Sequence, residues 1–307
     1  MNGMEEVIFE ARNLTKKYRN NLALDHINLS LRRGEVYGFI GENGAGKTTA
    51  IRLITGLSFP TEGSMALFGK SGTKELQRQR ARIGCMVETP ALYKNMTAVQ
   101  NLEAQRIQRG IPNRDCIGKT LKLVGLSDTG KKAVRHFSLG MRQRLGIAMA
   151  LLNDPEFLIL DEPINGLDPS GIVETRELIR QLNQERGITF LVSSHILNEL
   201  YQTATCYILL HKGRVLEELT QRELDEKCRR HIAIKTNDAA QTTITLENNL
   251  LTTNFQVMPD GTVRLYDHLD NMEEVAQALS RAGLLVTGLS LAGDSLEDYF
   301  FHKIGGR

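Results

Sequence analysis

A two-part fold, an α/β domain followed by a smaller α+β domain, is predicted by three features of the chain. The first is a strand, a glycine loop and a helix in direct succession. Glu35–Ile40 is apolar enough for a buried strand, residues 41–49 read Gly-Glu-Asn-Gly-Ala-Gly-Lys-Thr-Thr, and Ala50–Leu57 has helical apolar spacing without an early proline. The second is an alternation of strand and helix that a long helical stretch, residues 95–152, interrupts before it resumes at Glu156–Glu162. The third is a change of character near residue 220, beyond which the order reads βαββαβ.

Before the glycine loop, Val7–Phe9, Leu22–Leu24 and Ile27–Leu31 read as short apolar runs separated by turns, and Arg32-Arg33-Gly34 as a turn into the next strand. In the loop, Gly41 and Gly46 bracket four residues and are followed by Lys47 and Thr48, the spacing of a phosphate-binding loop. Glycines let backbone N–H groups close around phosphate oxygens, and a helix N-terminus adds partial positive charge. Gly41, Asn43, Gly44, Ala45, Gly46, Lys47, Thr48 and Thr49 are therefore the candidate nucleotide contacts, with Lys47 reaching the β- and γ-phosphates and the Thr48 hydroxyl binding Mg²⁺. Tyr18, isolated between Lys17 and Arg19, is either a filler or a platform for an adenine ring.

Pro60–Gly63 reads as a turn, Ser64–Phe68 and Ile83–Val87 as strands, and Lys74–Arg82 as a solvated helix. Glu88-Thr89-Pro90 then breaks the strand. The helical stretch predicts three helices: Val99–Ile107 capped by Thr97, Ile117–Val124 capped by Asn113 or Asp115, and one after Ser138. We place an inserted helical subdomain at about 89–155. Phe157–Leu160, ending in Asp161 and Glu162, suits a parallel strand buried on both faces with ligand groups at its carboxyl end. Asp161 is the candidate Mg²⁺ holder and Glu162 the group that polarises the water attacking the γ-phosphate. A helix (Ile172–Glu185), a strand (Ile188–Val192) and a hairpin turning at Lys212-Gly213 complete the first domain, residues 1–220. Residues 221–307 predict a charged helix and a small α+β domain resembling the split βαβ fold, without a catalytic cluster.

Bulk properties limit the function. The 307 residues carry a formal charge of +2, and neither a basic tail nor an aromatic-rich basic stripe points to nucleic acid. The four cysteines are dispersed like reduced thiols, not like a disulfide framework or a zinc site. Glu5 and Glu6 argue against a secretion signal, and no run of about 18 apolar residues could span a bilayer.

Over about residues 5–220 the chain resembles the nucleotide-binding subunits of ABC transporters, a P-loop NTPase fold. Besides Gly41–Thr49 and Phe157–Glu162, four landmarks match in order: Ser138-Leu139-Gly140-Met141-Arg142-Gln143 the family signature, Gly166-Leu167-Asp168-Pro169 the loop at the dimer interface, His195 the switch histidine, and Tyr18 the adenine platform. The resemblance implies ATP and Mg²⁺ as ligands, with Ser138 and Gly140 contacting the γ-phosphate held by a second subunit and Asp168 at that interface. It implies that His195 touches the γ-phosphate and helps orient Glu162. Because one chain holds one phosphate loop and one signature, a homodimer or a similar heterodimer follows.

Two departures stand out. Leu139 and Met141 alter the signature, although Gly140 is retained, and Glu88 stands where most members have a glutamine that touches Mg²⁺ and the permease. Glu88, with Thr89–Tyr93 and the ending Asp294–Phe300, resembles the subgroup that exports bacitracin and lantibiotics. Glu88 is thus a third candidate metal ligand. The expected function is ATP hydrolysis on the cytoplasmic face of the membrane, energising a separate integral permease through residues 89–110. The rivals are a soluble switch on ribosomes or DNA, disfavoured because the chain has neither a second cassette nor a coiled-coil insertion, and a nucleotide-controlled regulatory module.

Overall fold

The computed structural model describes residues 6–19, 21–293 and 296–304; Glu5, Asp294 and Ser295, which entered the sequence argument, lie outside them. The chain divides into two compact units, Met1–Gln221 and Arg222–Arg307. The first opens with β1 (Val7–Tyr18) and β2 (Asn21–Arg32), which pair antiparallel. Here the sequence reading of short runs and turns is corrected: these are two strands of 12 residues each. Their ladder shifts register repeatedly, with Asn13, Arg19 and His26 at positive φ. Such bulges break the two-residue period from which a strand is recognised.

Next come β3 (Val36–Ile40), α1 (Lys47–Thr55), β4 (Glu62–Leu67), β5 (Lys70–Ser71), α2 (Thr73–Gln79) and β6 (Ile83–Met86). β4 starts inside the expected turn, and the solvated helix stops at Gln79, followed by a single 3₁₀ turn. An antiparallel sheet has the order β2-β1-β4-β5. Its buried side chains share one core with Ala50, Ile51, Leu53 and Ile54 of α1 and with Phe39 and Phe157.

Between β6 and the next strand lie α3 (Ala98–Gln108), α4 (Asp115–Leu123) and α5 (Leu139–Leu151). Thr97 caps α3 in a reciprocal box with Gln100. The expected cap of α4 is corrected: Arg114 occupies that position, and Asn113 instead accepts the Asp115 N–H at 2.8 Å. α5 packs closely on β6, where a Cβ on Gly84 would sit 2.3 Å from the Ala150 carbonyl oxygen.

The unit closes with β7 (Phe157–Asp161), α6 (Pro169–Arg186), β8 (Thr189–Ser194), α7 (Leu197–Tyr201), β9 (Cys206–His211) and β10 (Arg214–Thr220). α6 starts three residues earlier than expected, because Asp168 caps it and Pro169 fits its first turn. The second sheet has the order β10-β9-β3-β8-β7-β6, parallel except for the antiparallel edge strand β10. Phe157, Leu158, Ile159 and Leu160 are fully buried, each contributing about 1.5–3 kcal/mol. Since β3, β8 and β7 are adjacent and parallel, the loop after β3 and the ends of β7 and β8 meet at one edge.

The second unit begins within α8 (Gln221–Cys228) and continues with β11 (His231–Thr236), α9 (Ala239–Asn249), β12 (Phe255–Val257), β13 (Val263–Leu265), α10 (Met272–Arg281), β14 (Val286–Ala292) and α11 (Leu296–Lys303). Its antiparallel sheet, β12-β13-β11-β14, has the split βαβ topology, with Ile232, Ile234, Leu246, Val275 and Leu279 in its core. Among the described residues no helix is long and apolar enough to cross a membrane.

At the opposite, amino-terminal edge of the six-stranded sheet, Glu156 accepts from Arg82 Nη2 at 2.9 Å and from Arg33 Nη2 at 2.7 Å. The Arg82 guanidinium, then that of Arg33, holds the Glu156 carboxyl down to about 2, against an ordinary 4.5. A depressed carboxylate stabilises the fold above the unfolded value and loses that contribution as pH falls through the folded one. Glu156→Gln should therefore destabilise the protein at pH 7 by about 1 kcal/mol, allowing for solvent screening of a partly exposed group. The gap to wild type should close between pH 4.5 and about 2. Urea unfolding across that range checks this; an unchanged gap would refute the ion-pair account.

Candidate active site

The phosphate loop is shaped by contacts that leave no room for side chains. A Cβ on Gly41 would lie 2.4 Å from the Leu210 carbonyl oxygen, and Gly46, at φ 113°, has the Ala23 carbonyl 2.7 Å from the same point. Gly46 is also the N-cap of α1 and provides no side-chain cap, so the first N–H groups of the helix are available to an anion. Lys47 is nearly buried, and its ammonium donates to the carbonyls of Gly41 (2.5 Å) and Glu42 (3.3 Å). A cleft of about 470 Å³ brings together Tyr18, Asn43, Gly44, Lys47, Thr48 and Glu162. Tyr18 is exposed within it, its hydroxyl 3.3 Å from Ser58 Oγ, so one candidate adenine platform and the phosphate loop share one cleft. Of the other candidates in the loop, Ala45 is buried, Asn43 is exposed and Thr49 is half-buried.

Beside the loop is a carboxylate corner. Asp161, 2% exposed, accepts from Thr48 Oγ1 (2.9 Å) and Ser193 Oγ (2.5 Å). Residue 162 leaves the strand at φ 50°, with its N–H bonded to Ser193 Oγ at 2.9 Å. Its carboxylate is thereby re-aimed: Oε2 lies 2.8 Å from His195 Nδ1 and Oε1 3.8 Å from Lys47 Nζ. An ionised carboxylate only accepts, so the tautomer that fits carries the proton on Nδ1 and leaves Nε2 for another partner. Thr48 and Asp161 offer hard oxygen ligands for a divalent cation. Among the described residues no group of three His, Cys, Asp or Glu converges on a metal position. The pair therefore fits an ion that takes its other oxygens from phosphate and water, as Mg²⁺ does. Glu88, the third metal candidate, is exposed at φ 59° and pairs with the Arg52 guanidinium.

Ser138, Gly140 and Asp168 do not line the phosphate-loop cleft. Ser138 caps α5, accepting the Met141 N–H at 3.2 Å. Asp168 caps α6, and bonds from the Ser170 hydroxyl and the Gly171 N–H hold its carboxyl below the usual range. Gly140 is unlike the loop glycines: a Cβ there would meet only ordinary contacts, the nearest at 3.8 Å, and its backbone needs no positive φ. Sequence reasoning missed two residues of this region. Ser193 lies beside Asp161 only through the β7–β8 register, and Arg52 reaches Glu88 across 36 positions. A helix spacing of four from Thr48 was the one available signal for Arg52.

Residues 24–165 match the family described as ABC transporter. The chain is 42% identical to the bacitracin transport ATP-binding protein BcrA of Bacillus licheniformis, over 97% of this chain and 98% of that one. It is 41% identical to the lantibiotic transport ATP-binding protein SrtF of Streptococcus pyogenes, over 69% of this chain and 90% of that one. Among solved structures, the dimeric ATP-binding cassette MJ0796, in a post-hydrolysis state bound to ADP and Pi, aligns with a TM-score of 0.64. Its identity is 28%, covering 70% of this chain and 99% of that one. Aligned almost end to end with such a relative, and built on the same cassette fold, this chain belongs to the ABC transporter family as an ATP-binding, ATP-hydrolysing subunit.

Proposed function

We propose that this ATPase energises export of an antimicrobial peptide or a similar compound by a separate membrane permease, and that it works paired with a second nucleotide-binding subunit. The relatives named for bacitracin and lantibiotic transport support the class of cargo. The observation that carries the catalytic reading is the Glu162 carboxylate, held between His195 Nδ1 at 2.8 Å and Lys47 Nζ at 3.8 Å, beside the phosphate-loop cleft. In this reading Lys47 and the N–H groups at the start of α1 hold the triphosphate, and Tyr18 stacks on adenine. Thr48 and Asp161 hold Mg²⁺, which neutralises charge on the phosphates when bound. Glu162 orients and polarises the attacking water, His195 keeps Glu162 aimed, and the free Nε2 faces the γ-phosphate. The protein would sit on the cytoplasmic face of the membrane through its permease, with residues 89–110 passing on the motion and no role for nucleic acid.

Pairing of two subunits is supported by Gly140. A glycine in a helix disfavours it by about 1 kcal/mol relative to alanine. Among the described residues nothing in its own chain demands one at this position. A glycine there makes sense if another surface approaches the backbone closely, as the γ-phosphate held by a second subunit would. Ser138 and Asp168, on helix starts outside the phosphate-loop cleft, fit the same arrangement.

Glu162→Gln should lower ATP turnover at least about 100-fold and form dimers with Mg-ATP in light scattering. Equal rates in wild type and variant would overturn the assignment of Glu162. Adding Gly140→Ala should abolish those dimers while leaving thermal stability unchanged or raised, by up to about 1 kcal/mol. Dimers that persist would argue that the signature does not meet nucleotide across an interface. Failure of the tagged protein to co-purify with any integral membrane protein from its own cells would count against the permease.

A further inference from the structure

We propose that Arg52 is a positioning residue for Glu88: it holds the Glu88 carboxylate when no nucleotide is bound and yields it to Mg²⁺ when metal and nucleotide enter together. The inference rests on the metal site proposed for Thr48 and Asp161. Arg52 follows Thr48 by one turn of α1, so the two side chains share a helix face. Glu88 lies just past β6, whose neighbour β7 ends at Asp161. The Arg52–Glu88 ion pair thus ties α1 to the strand edge beside the metal corner.

Charge explains why such a partner is present. Glu88, Asp161 and Glu162 line one cleft of about 580 Å³ together with Thr48. Lys47 approaches Glu162, Thr48 and Ser193 donate to Asp161, and Arg142, another cation of that cleft, donates to the Phe137 carbonyl. Lys94 also lines the cleft but makes no ion pair with Glu88 among the described residues, and Arg52 is the cation that pairs with this remaining carboxylate near the triphosphate. The Glu88 backbone, at φ 59°, is in the left-handed region that non-glycine residues seldom adopt, so a side-chain tether also helps to hold that turn.

The same geometry makes the tether releasable. The two side chains are 43% and 59% exposed, which puts the pair in the weak, solvent-screened class. A hard divalent cation prefers a carboxylate and does not bind guanidinium. Arg52 therefore competes with Mg²⁺ for Glu88, and at the same time shields metal-free nucleotide from the Glu88 charge.

The test is equilibrium binding of a fluorescent ATP analogue, in EDTA and across a Mg²⁺ titration. The variants are Arg52→Ala, Arg52→Lys, Glu88→Gln and the Arg52→Ala/Glu88→Gln pair, with thermal unfolding as the control for folding. Arg52→Ala should reduce the Mg²⁺ concentration for half-maximal binding by about two- to fivefold, and weaken metal-free binding by a similar factor. Arg52→Lys should restore metal-free binding, and in the Glu88→Gln background Arg52→Ala should change neither quantity. A wild-type Mg²⁺ response in Arg52→Ala, or the same shift without the Glu88 carboxylate, would overturn the inference and leave the metal site standing. Binding that ignores Mg²⁺ in the wild type would remove the metal site itself, and this inference with it.

Discussion

A carboxylate buried at the end of an otherwise apolar strand is the constraint on which the nucleotide corner depends. Asp161 is 2% exposed, and a buried charge is expensive unless hydrogen bonds replace its water. Here the hydroxyls of Thr48 and Ser193 supply them, one from the first turn of α1 and one from β8. Satisfying this one group therefore locks the start of the phosphate-loop helix against two strands. It can do so because the four residues before it are fully buried and fix β7, and because the parallel register sets Asp161 opposite Ser193. Ser193 also receives the Glu162 N–H, so the same hydroxyl fixes where the next side chain begins.

Two of the positive-φ residues that are not glycine lie at the carboxyl edge of the sheet, beside the metal corner. Glu162 and Glu88 both adopt positive φ without being glycine, one just past β7 and one just past β6. Each is restrained by a side-chain partner, His195 in one case and Arg52 in the other. Unfavourable backbone held by surrounding contacts is a recurring property of functional positions. Glycines divide along the same line. Gly41 and Gly46 are needed because neighbouring carbonyls of the same chain leave no room for a Cβ, whereas Gly140 has room and no conformational need. The first pair shapes the loop; the third has its purpose outside the monomer, in our reading.

The glycine loop and the strand that ends in two carboxylates were legible in the sequence because each is local. Gly41–Thr49 is a contiguous stretch, and Phe157–Glu162 carries its meaning within six residues. The three helices between β6 and β7, and the split βαβ order after residue 220, were also readable from periodicity and turns. The two long strands at the start were not, since bulges at Asn13 and His26 shift the inward face and make a continuous strand resemble separate runs. The cap of α4 failed for a related reason: Asn113 satisfies the backbone in a turn before the helix begins, and so is spent before it can cap.

What the sequence alone determined is therefore the family, the phosphate loop, the two adjacent carboxylates and the presence of a second, smaller domain. Each is written in neighbouring residues or in a short repeat of apolar positions. What only the tertiary structure decided is which groups meet: Ser193 beneath Asp161, His195 on the Glu162 carboxylate, Arg52 on Glu88, and Tyr18 in the cleft of the phosphate loop. Those partners are up to 36 positions apart within the first three pairs, and strand order and register bring them together. Register depends on the packing of whole strands into a shared core, so no local stretch of sequence encodes it.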